Sequence, residues 1–226
     1  MLQKIFFKFI DKNLSLMILK ITPKVNNLVK IAAIVQLSLF IFDSVIDIGH
    51  LNVPRGFDLV NYTVLSVLSI LMAFYIIGIL NFFDEKTGIK ASFFIYAILE
   101  ILIVGTTVLV KFESPKFSLI LSSVLGLLIF LNSFYLVISS SRIRNKIISN
   151  PIMLFTISFF VVGILKMLIS ISFPLIFRAS FETENRGVLL SRNALNWVSV
   201  LSVLTPVAIM LLISRVERCL NSQQQQ

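Results

Sequence analysis

Three ionisable residues lie close together in the first apolar segment, residues 31–50, which reads IAAIVQLSLFIFDSVIDIGH. Asp43, Asp47 and His50 follow one another at intervals of four and three residues, so they share one face of a helix. A carboxyl group near the centre of a transmembrane helix costs about 2.5–3.5 kcal/mol, and such groups tend to face the bundle interior. This face predicts a proton or cation pathway with His50 at its mouth. The alternative is that Asp47 and His50 lie at the membrane interface while Asp43 bonds to a neighbouring helix.

Two further charged residues lie in the middle of apolar segments. Glu100 is central in residues 91–110, and Lys166 is central in residues 152–177. By residue count both lie near the membrane midplane, where an acid and a base at one depth favour an ion pair. Such a pair would fix how two helices meet. If the two side chains do not touch, we expect one of them to titrate in function.

Six apolar segments carry these residues, and each is long enough for a hydrocarbon core that needs about 20 helical residues. The segments are residues 31–50, 59–81, 91–110, 118–139, 152–177 and 193–214. The short connections between them predict that consecutive helices are antiparallel neighbours. The predicted fold is therefore all-α, a six-span transmembrane bundle in one domain that covers residues 31–214.

The composition is typical of a multi-pass membrane protein. Hydrophobic residues make up 57% of the chain and charged residues 14%, with a mean hydropathy of +0.96. A soluble domain would be roughly 45–50% apolar and about 25% charged. The formal net charge is +9, but the basic residues lie at the ends of the apolar segments rather than in a patch interleaved with aromatic residues. Nucleic acid is therefore not an expected partner.

The distribution of Lys and Arg predicts the orientation of the bundle. Thirteen of these residues lie on the side of the N-terminus and six on the opposite side. Because cytosolic segments carry the excess of basic residues, both termini are expected in the cytosol, with residues 215–226 as a polar tail. Cys219 lies close to the membrane on this side, where it is either a lipidation site or an inert thiol.

The first 30 residues are predicted to form a cytosolic amphipathic helix and a linker. Lys4, Lys8 and Lys12 recur at every fourth position, and apolar residues cover the other side of the helix. This pattern favours binding to the headgroups of an anionic lipid leaflet.

The sequence lacks the motifs of an enzyme. It has no Gly-rich phosphate loop, no HExxH, no GxSxG and no Cys/His cluster. One histidine and one cysteine cannot form a His-rich metal centre, although the pair Asp43 and Asp47 could bind Mg²⁺. We therefore expect neither enzymatic activity nor a cofactor nor a resident metal.

Two functions fit these observations. The first is a small transporter or channel component with a polar path through Asp43, Asp47, Glu100 and Lys166, and with span six, kinked at Pro206, as a moving part. The alternative is a non-catalytic protein that organises or shapes the membrane through its basic N-terminal helix, with structural intramembrane charges. In either case the expected partners are the lipid bilayer and a second membrane protein or another copy of the chain.

Overall fold

The computed structural model describes residues 21–49, 56–109, 115–177, 194–195 and 197–224. These residues are almost entirely helical and include no strand. The helices are α1 (Pro23–Gly49), α2 (Phe57–Phe82), α3 (Thr87–Leu109), α4 (Pro115–Ser140), α5 (Lys146–Phe177) and α6 (Leu204–Gln224). A 3₁₀ turn, Leu201–Val203, precedes α6, and residues 194–195 and 197–200 are helical as well.

Within the described residues, five helical stretches are long and apolar enough to cross a membrane. They are Pro23–Ile46, Val60–Phe82, Thr87–Thr106, Lys146–Ile169 and Trp197–Ser222. In α4 the corresponding stretch is a shorter apolar helix, Val124–Ser140. The predicted all-α bundle of about six spans is therefore confirmed.

The outer surface of the bundle is apolar. Ile31, Val60, Leu131 and Leu168 lie on four different helices and are each between 54% and 63% exposed. In water such side chains would turn inward, because burying each of them stabilises a protein by about 1.5–3 kcal/mol. This surface suits contact with lipid chains, and the helices accordingly have the composition of a membrane-embedded protein.

The six helices form a closed ring. Each helix packs against its neighbours in the sequence, and α6 completes the ring by packing against both α5 and α1. Short loops at residues 83–86 and 141–145 make the helices that they join antiparallel. The ring therefore brings side chains from all six spans to one interior.

The half of the bundle next to the loops 83–86 and 141–145, which we name the packed half, contains the hydrophobic core. Its largest fully buried side chains include Met72, Tyr75, Ile76, Leu80, Phe93, Leu136, Ile148, Ile152, Ile209 and Leu212. The Tyr75 hydroxyl donates a hydrogen bond of 2.9 Å to Asn26 Oδ1, which joins α2 to α1 inside this core. Close packing therefore fills the interior of the ring in this half.

Glu85 joins the two loops of the packed half. Its side chain is buried, and its carboxylate accepts the backbone N–H groups of Arg144 at 3.2 Å and Asn145 at 2.8 Å. The adjacent Asp84 has a φ of 50°, a left-handed conformation that Asp adopts more readily than most residues. One buried carboxylate thus connects the loop after α2 to the start of α5.

The first and the last helix extend well beyond the predicted spans. Helix α1 begins at Pro23, before the predicted start of span one, and α6 continues to Gln224, through most of the predicted polar tail. The two extensions lie side by side, and Lys30 Nζ is 3.3 Å from Glu217 Oε2. Packing between the first and last helices therefore stabilises helical turns that are too polar to be recognised as part of a span.

Candidate functional site

A cavity of about 810 Å³ lies inside the half of the ring that is remote from the loops 83–86 and 141–145. We name this half the cavity half. All six spans contribute side chains to the cavity wall. Its volume falls within the range of about 300–1,000 Å³ that is usual for small-molecule sites. Because protein interiors rarely leave voids much larger than a water molecule, a cavity of this size requires a functional explanation.

Three of the predicted intramembrane charges lie at this cavity. Asp43 of α1, Glu100 of α3 and Lys166 of α5 all line its wall. Each of these side chains is half-buried, so none of them is sealed within the hydrophobic core. The ring thus brings together three ionisable groups that are far apart in the sequence. A direct ion pair between Glu100 and Lys166 stays a prediction.

A chain of hydrogen bonds leads to Glu100 from α1 and α2. Gln36 Nε2 donates to Ser69 Oγ at 2.9 Å, and Ser69 is hydrogen-bonded to Tyr96. The hydroxyl groups of Tyr96 and Ser66 both hydrogen-bond to Glu100. Because an amide N–H can only donate, the Ser69 proton is available to Tyr96, and the Tyr96 proton is available to the carboxylate. The direction of donation therefore runs from Gln36 to Glu100.

This chain solvates the Glu100 carboxylate without neutralising it, because both hydroxyl partners are uncharged. A hydrogen bond to a charged group contributes about 1.5–3 kcal/mol, which offsets part of the cost of a carboxylate in the membrane. At the other end of the chain, Gln36 Oε1 is buried and has no hydrogen-bond partner among the described residues. Rotation of the Gln36 amide group would turn this acceptor toward Ser69 and allow the chain to run in the opposite direction.

Span six changes its helix type where it passes the cavity. The 3₁₀ turn Leu201–Val203 separates the helical residues 197–200 from α6. Pro206 has no N–H group, so the carbonyl of Ser202 lacks the donor that a continuous α-helix would supply. Ser202 itself lines the cavity. The distortion predicted at Pro206 therefore lies at the cavity wall.

Aromatic rings form a large part of the remaining wall. Phe40, Tyr62, Phe130 and Phe159 line the cavity together with Tyr96. The rings of Tyr96 and Phe159 meet edge to face, with centroids 5.1 Å apart and an interplanar angle of 77°. Aromatic faces carry partial negative charge, so this wall can contact both apolar and cationic groups.

Sequence reasoning did not identify Gln36, Ser66, Ser69 and Tyr96 as residues of the site. Their spacing carries a signal, because Tyr96 lies one helical turn before Glu100 and Gln36 lies two turns before the acid of α1. Ser66 and Ser69 also share a face of α2. Such small and hydroxyl-bearing residues commonly serve helix packing in membranes, so spacing alone does not distinguish the two roles.

Four predicted site residues lie outside the described part of the chain, namely Lys4, Lys8, Lys12 and His50. The side chain of Asp47 also lies outside the described part, although α1 includes its backbone. The amphipathic N-terminal helix, the mouth of the pathway and Mg²⁺ binding by Asp43 and Asp47 therefore stay predictions.

Two further predictions concern Cys219 and metal binding. Cys219 is a partly buried free thiol in α6, and its lipidation stays a prediction. Within the described ranges there is no group of three or more His, Cys, Asp or Glu residues that could hold a metal ion.

No protein-family model matches this chain, and no curated protein or solved structure is significantly similar to it. The function of this protein is therefore inferred from the cavity and from the chemistry of its wall.

Proposed function

We propose that this protein is a small membrane transporter whose substrate site is the cavity lined by Asp43, Glu100 and Lys166. The observation that carries the proposal is a cavity of about 810 Å³ with ionisable groups from three helices at its wall. Charges that served only to join helices would not need an open volume beside them, because protein interiors are close-packed. Arrangement around a volume suited to a small molecule favours binding of a solute instead.

The packed half favours a carrier over a permanently open channel. In the packed half, fully buried side chains such as Met72, Tyr75 and Phe93 fill the interior of the ring. A solute would therefore reach the cavity from one side, and the packed half would separate to release it on the other. If both termini are cytosolic, as the Lys and Arg distribution predicts, the packed half faces the cytosol.

The proposed function is not enzymatic, and the sequence contains no Gly-rich phosphate loop, HExxH, GxSxG or Cys/His cluster. The alternative function, organisation of the membrane by the basic N-terminal helix, depends on Lys4, Lys8 and Lys12. These residues lie outside the described part of the chain, so no structural observation favours that alternative.

Accessibility of single cysteines tests the transport proposal. Cys219 is the only cysteine of the chain, so Cys219→Ser provides a cysteine-free background. In this background Ser133→Cys places a thiol at the cavity wall. The matched control Phe134→Cys places one on the outer surface, where Phe134 is 52% exposed. A charged, membrane-impermeant methanethiosulfonate reagent is then applied to either side of sealed vesicles.

A carrier predicts that Ser133→Cys reacts from both sides, because the cavity opens alternately to each of them. Phe134→Cys should react from neither side, because a charged reagent does not enter lipid. Reaction of Ser133→Cys from one side only would contradict transport and indicate a binding site that never changes access. Absence of reaction from both sides would show a sealed void and would overturn the proposal.

A further inference from the structure

We propose that the cavity exchanges one organic monocation for one proton at Glu100. This inference rests on the proposed transport function and names its substrate class. The described part of the cavity wall contains two carboxyl groups, from Asp43 and Glu100, and one ammonium group, from Lys166. When all three are ionised, these described groups carry one net negative charge. In surroundings of low dielectric constant this excess favours uptake of a single positive charge.

Glu100 is the group to which we assign this exchange. The described partners of Glu100 are the hydroxyl groups of Tyr96 and Ser66, which are uncharged and leave its negative charge in place. The side chain is only partly buried and lines the cavity, where a solute can reach it. A bound proton makes this carboxyl group neutral and removes its attraction for a cation. Proton and cation therefore compete for one group, and the displaced proton is released to bulk water.

The other titratable groups of the wall come from several helices. They are Asp43 of α1, Tyr62 of α2, Tyr96 of α3 and Lys166 of α5. The described wall residues of α4 and of span six include no ionisable side chain. Asp43 is the carboxyl group among them, and like Glu100 it becomes an anion that attracts a cation when it loses its proton. The experiment must therefore separate Glu100 from Asp43.

The wall suits an organic cation better than a metal ion. Its volume of about 810 Å³ accommodates a molecule of many atoms, and Phe40, Tyr62 and Phe159 present aromatic rings to it. Aromatic faces attract organic cations, which bring apolar surface of their own to an apolar wall. A bare metal ion instead needs several oxygen, nitrogen or sulfur ligands at short range, and the described residues contain no such cluster.

The hydrogen-bond chain offers a structural response to the proton. A protonated Glu100 can donate to Tyr96, after which Tyr96 can donate to Ser69 and Ser69 to an acceptor on Gln36. Gln36 Oε1, buried without a partner among the described residues, is such an acceptor. Reversal of the chain would thus transmit the protonation state of α3 to α1, through α2.

Binding of tetraphenylphosphonium, an apolar organic monocation, tests the inference. Equilibrium dialysis of the purified full-length chain in mild detergent measures its affinity at a series of pH values. We expect saturable binding of one ion per chain. At pH values low enough for Glu100 to take up its proton, the affinity should fall by about tenfold for each further unit by which the pH is lowered, because one proton is displaced per cation. Tetraphenylborate, an anion of the same shape, should show no saturable binding.

Four variants identify the carboxyl group at which the proton and the cation compete. Glu100→Gln should weaken binding by about tenfold or more and abolish its dependence on pH, whereas Glu100→Asp keeps the charge and should keep the dependence. Asp43→Asn should leave the proton competition in place. Glu217→Gln is the matched control, because this carboxylate lies in the packed half beside Lys30 and not at the cavity. It should bind as the wild type does.

The inference is overturned if tetraphenylborate binds equally well or if tetraphenylphosphonium binding does not depend on pH. It is also overturned if Asp43→Asn, rather than Glu100→Gln, removes the pH dependence. The proposed function has its own test in the labelling of Ser133→Cys. If that residue is labelled from both sides while cation and proton do not compete, transport stands and the substrate class fails. If the labelling fails, the transport function fails whatever the binding result.

Discussion

The hydrogen bond between Tyr75 and Asn26 should hold the packed half closed, and its removal should favour opening. The donor and acceptor are 2.9 Å apart, and both side chains are fully buried. Asn26 Nδ2 has no hydrogen-bond partner among the described residues, so the Tyr75 hydroxyl is the partner that they provide for this buried amide group. Tyr75→Phe keeps the aromatic ring but leaves Asn26 Oδ1 without this donor.

The size of the effect follows from burial of that oxygen. An unsatisfied buried acceptor costs about 1–3 kcal/mol. In a conformation in which the packed half separates, water can reach Asn26 and remove this cost. Tyr75→Phe should therefore shift the equilibrium toward the separated state by roughly 5- to 150-fold.

The measurement is the rate at which Ser133→Cys, in the Cys219→Ser background, is labelled from the side of the packed half. Tyr75→Phe should raise this rate by the same factor. Tyr135→Phe is the matched control, because it removes the same hydroxyl group from a residue that is 51% exposed on the outer surface. It should not change the rate.

A second variant tests whether the higher rate comes from the unsatisfied acceptor on Asn26. Tyr75→Phe combined with Asn26→Leu removes both polar partners, so no acceptor is left unsatisfied and the labelling rate should return toward the parent value. An unchanged rate in folded Tyr75→Phe protein would show that the packed half does not open during access. In that case the packed half is not the gate of the cavity.

Two further predictions concern the loops and the cavity. Glu85→Gln should lower the free energy of unfolding in mild detergent by about 1.5–3 kcal/mol, because a buried carboxylate that accepts two backbone N–H groups is lost. The control is Asp84→Asn, because Asp84 is exposed and Asn suits its left-handed backbone. An equal loss of stability in Asp84→Asn would contradict this prediction. Gly126 lines the cavity, and a Cβ added there meets no atom within 4 Å. Because a larger side chain would take up space in the cavity, Gly126→Leu should weaken tetraphenylphosphonium binding by about tenfold. The equally uncrowded Gly105→Leu lies away from the cavity wall and should bind normally, whereas an equal loss there would argue against the cavity as the binding site.

The spans could be predicted from the sequence because membrane insertion depends on a local property, a run of about 20 apolar residues. The ends of the first and last helices could not be predicted in the same way. Residues 23–30 and 215–224 are polar enough to resemble a linker and a tail. They are helical because α1 and α6 pack against each other, with Lys30 beside Glu217. That contact joins opposite ends of the chain, and no local pattern reveals it.

The residues of the candidate site, too, could be recognised only in part from the sequence. Asp43, Glu100 and Lys166 could be recognised from the sequence, because a charge inside an apolar helix is costly and therefore uncommon. Gln36, Ser69 and Tyr96 are less conspicuous, since neutral polar side chains cost much less there.

The presence of about six apolar helices and the charges that they carry follow directly from the order of the residues. The meeting of Asp43, Glu100 and Lys166 at one cavity, and the chain of hydroxyl groups that leads to Glu100, became visible in the folded bundle. These arrangements depend on the order of the helices in the ring and on the rotation of each about its own axis. Contacts between helices distant in sequence set both quantities, whereas hydrophobic periodicity reports only on one helix at a time.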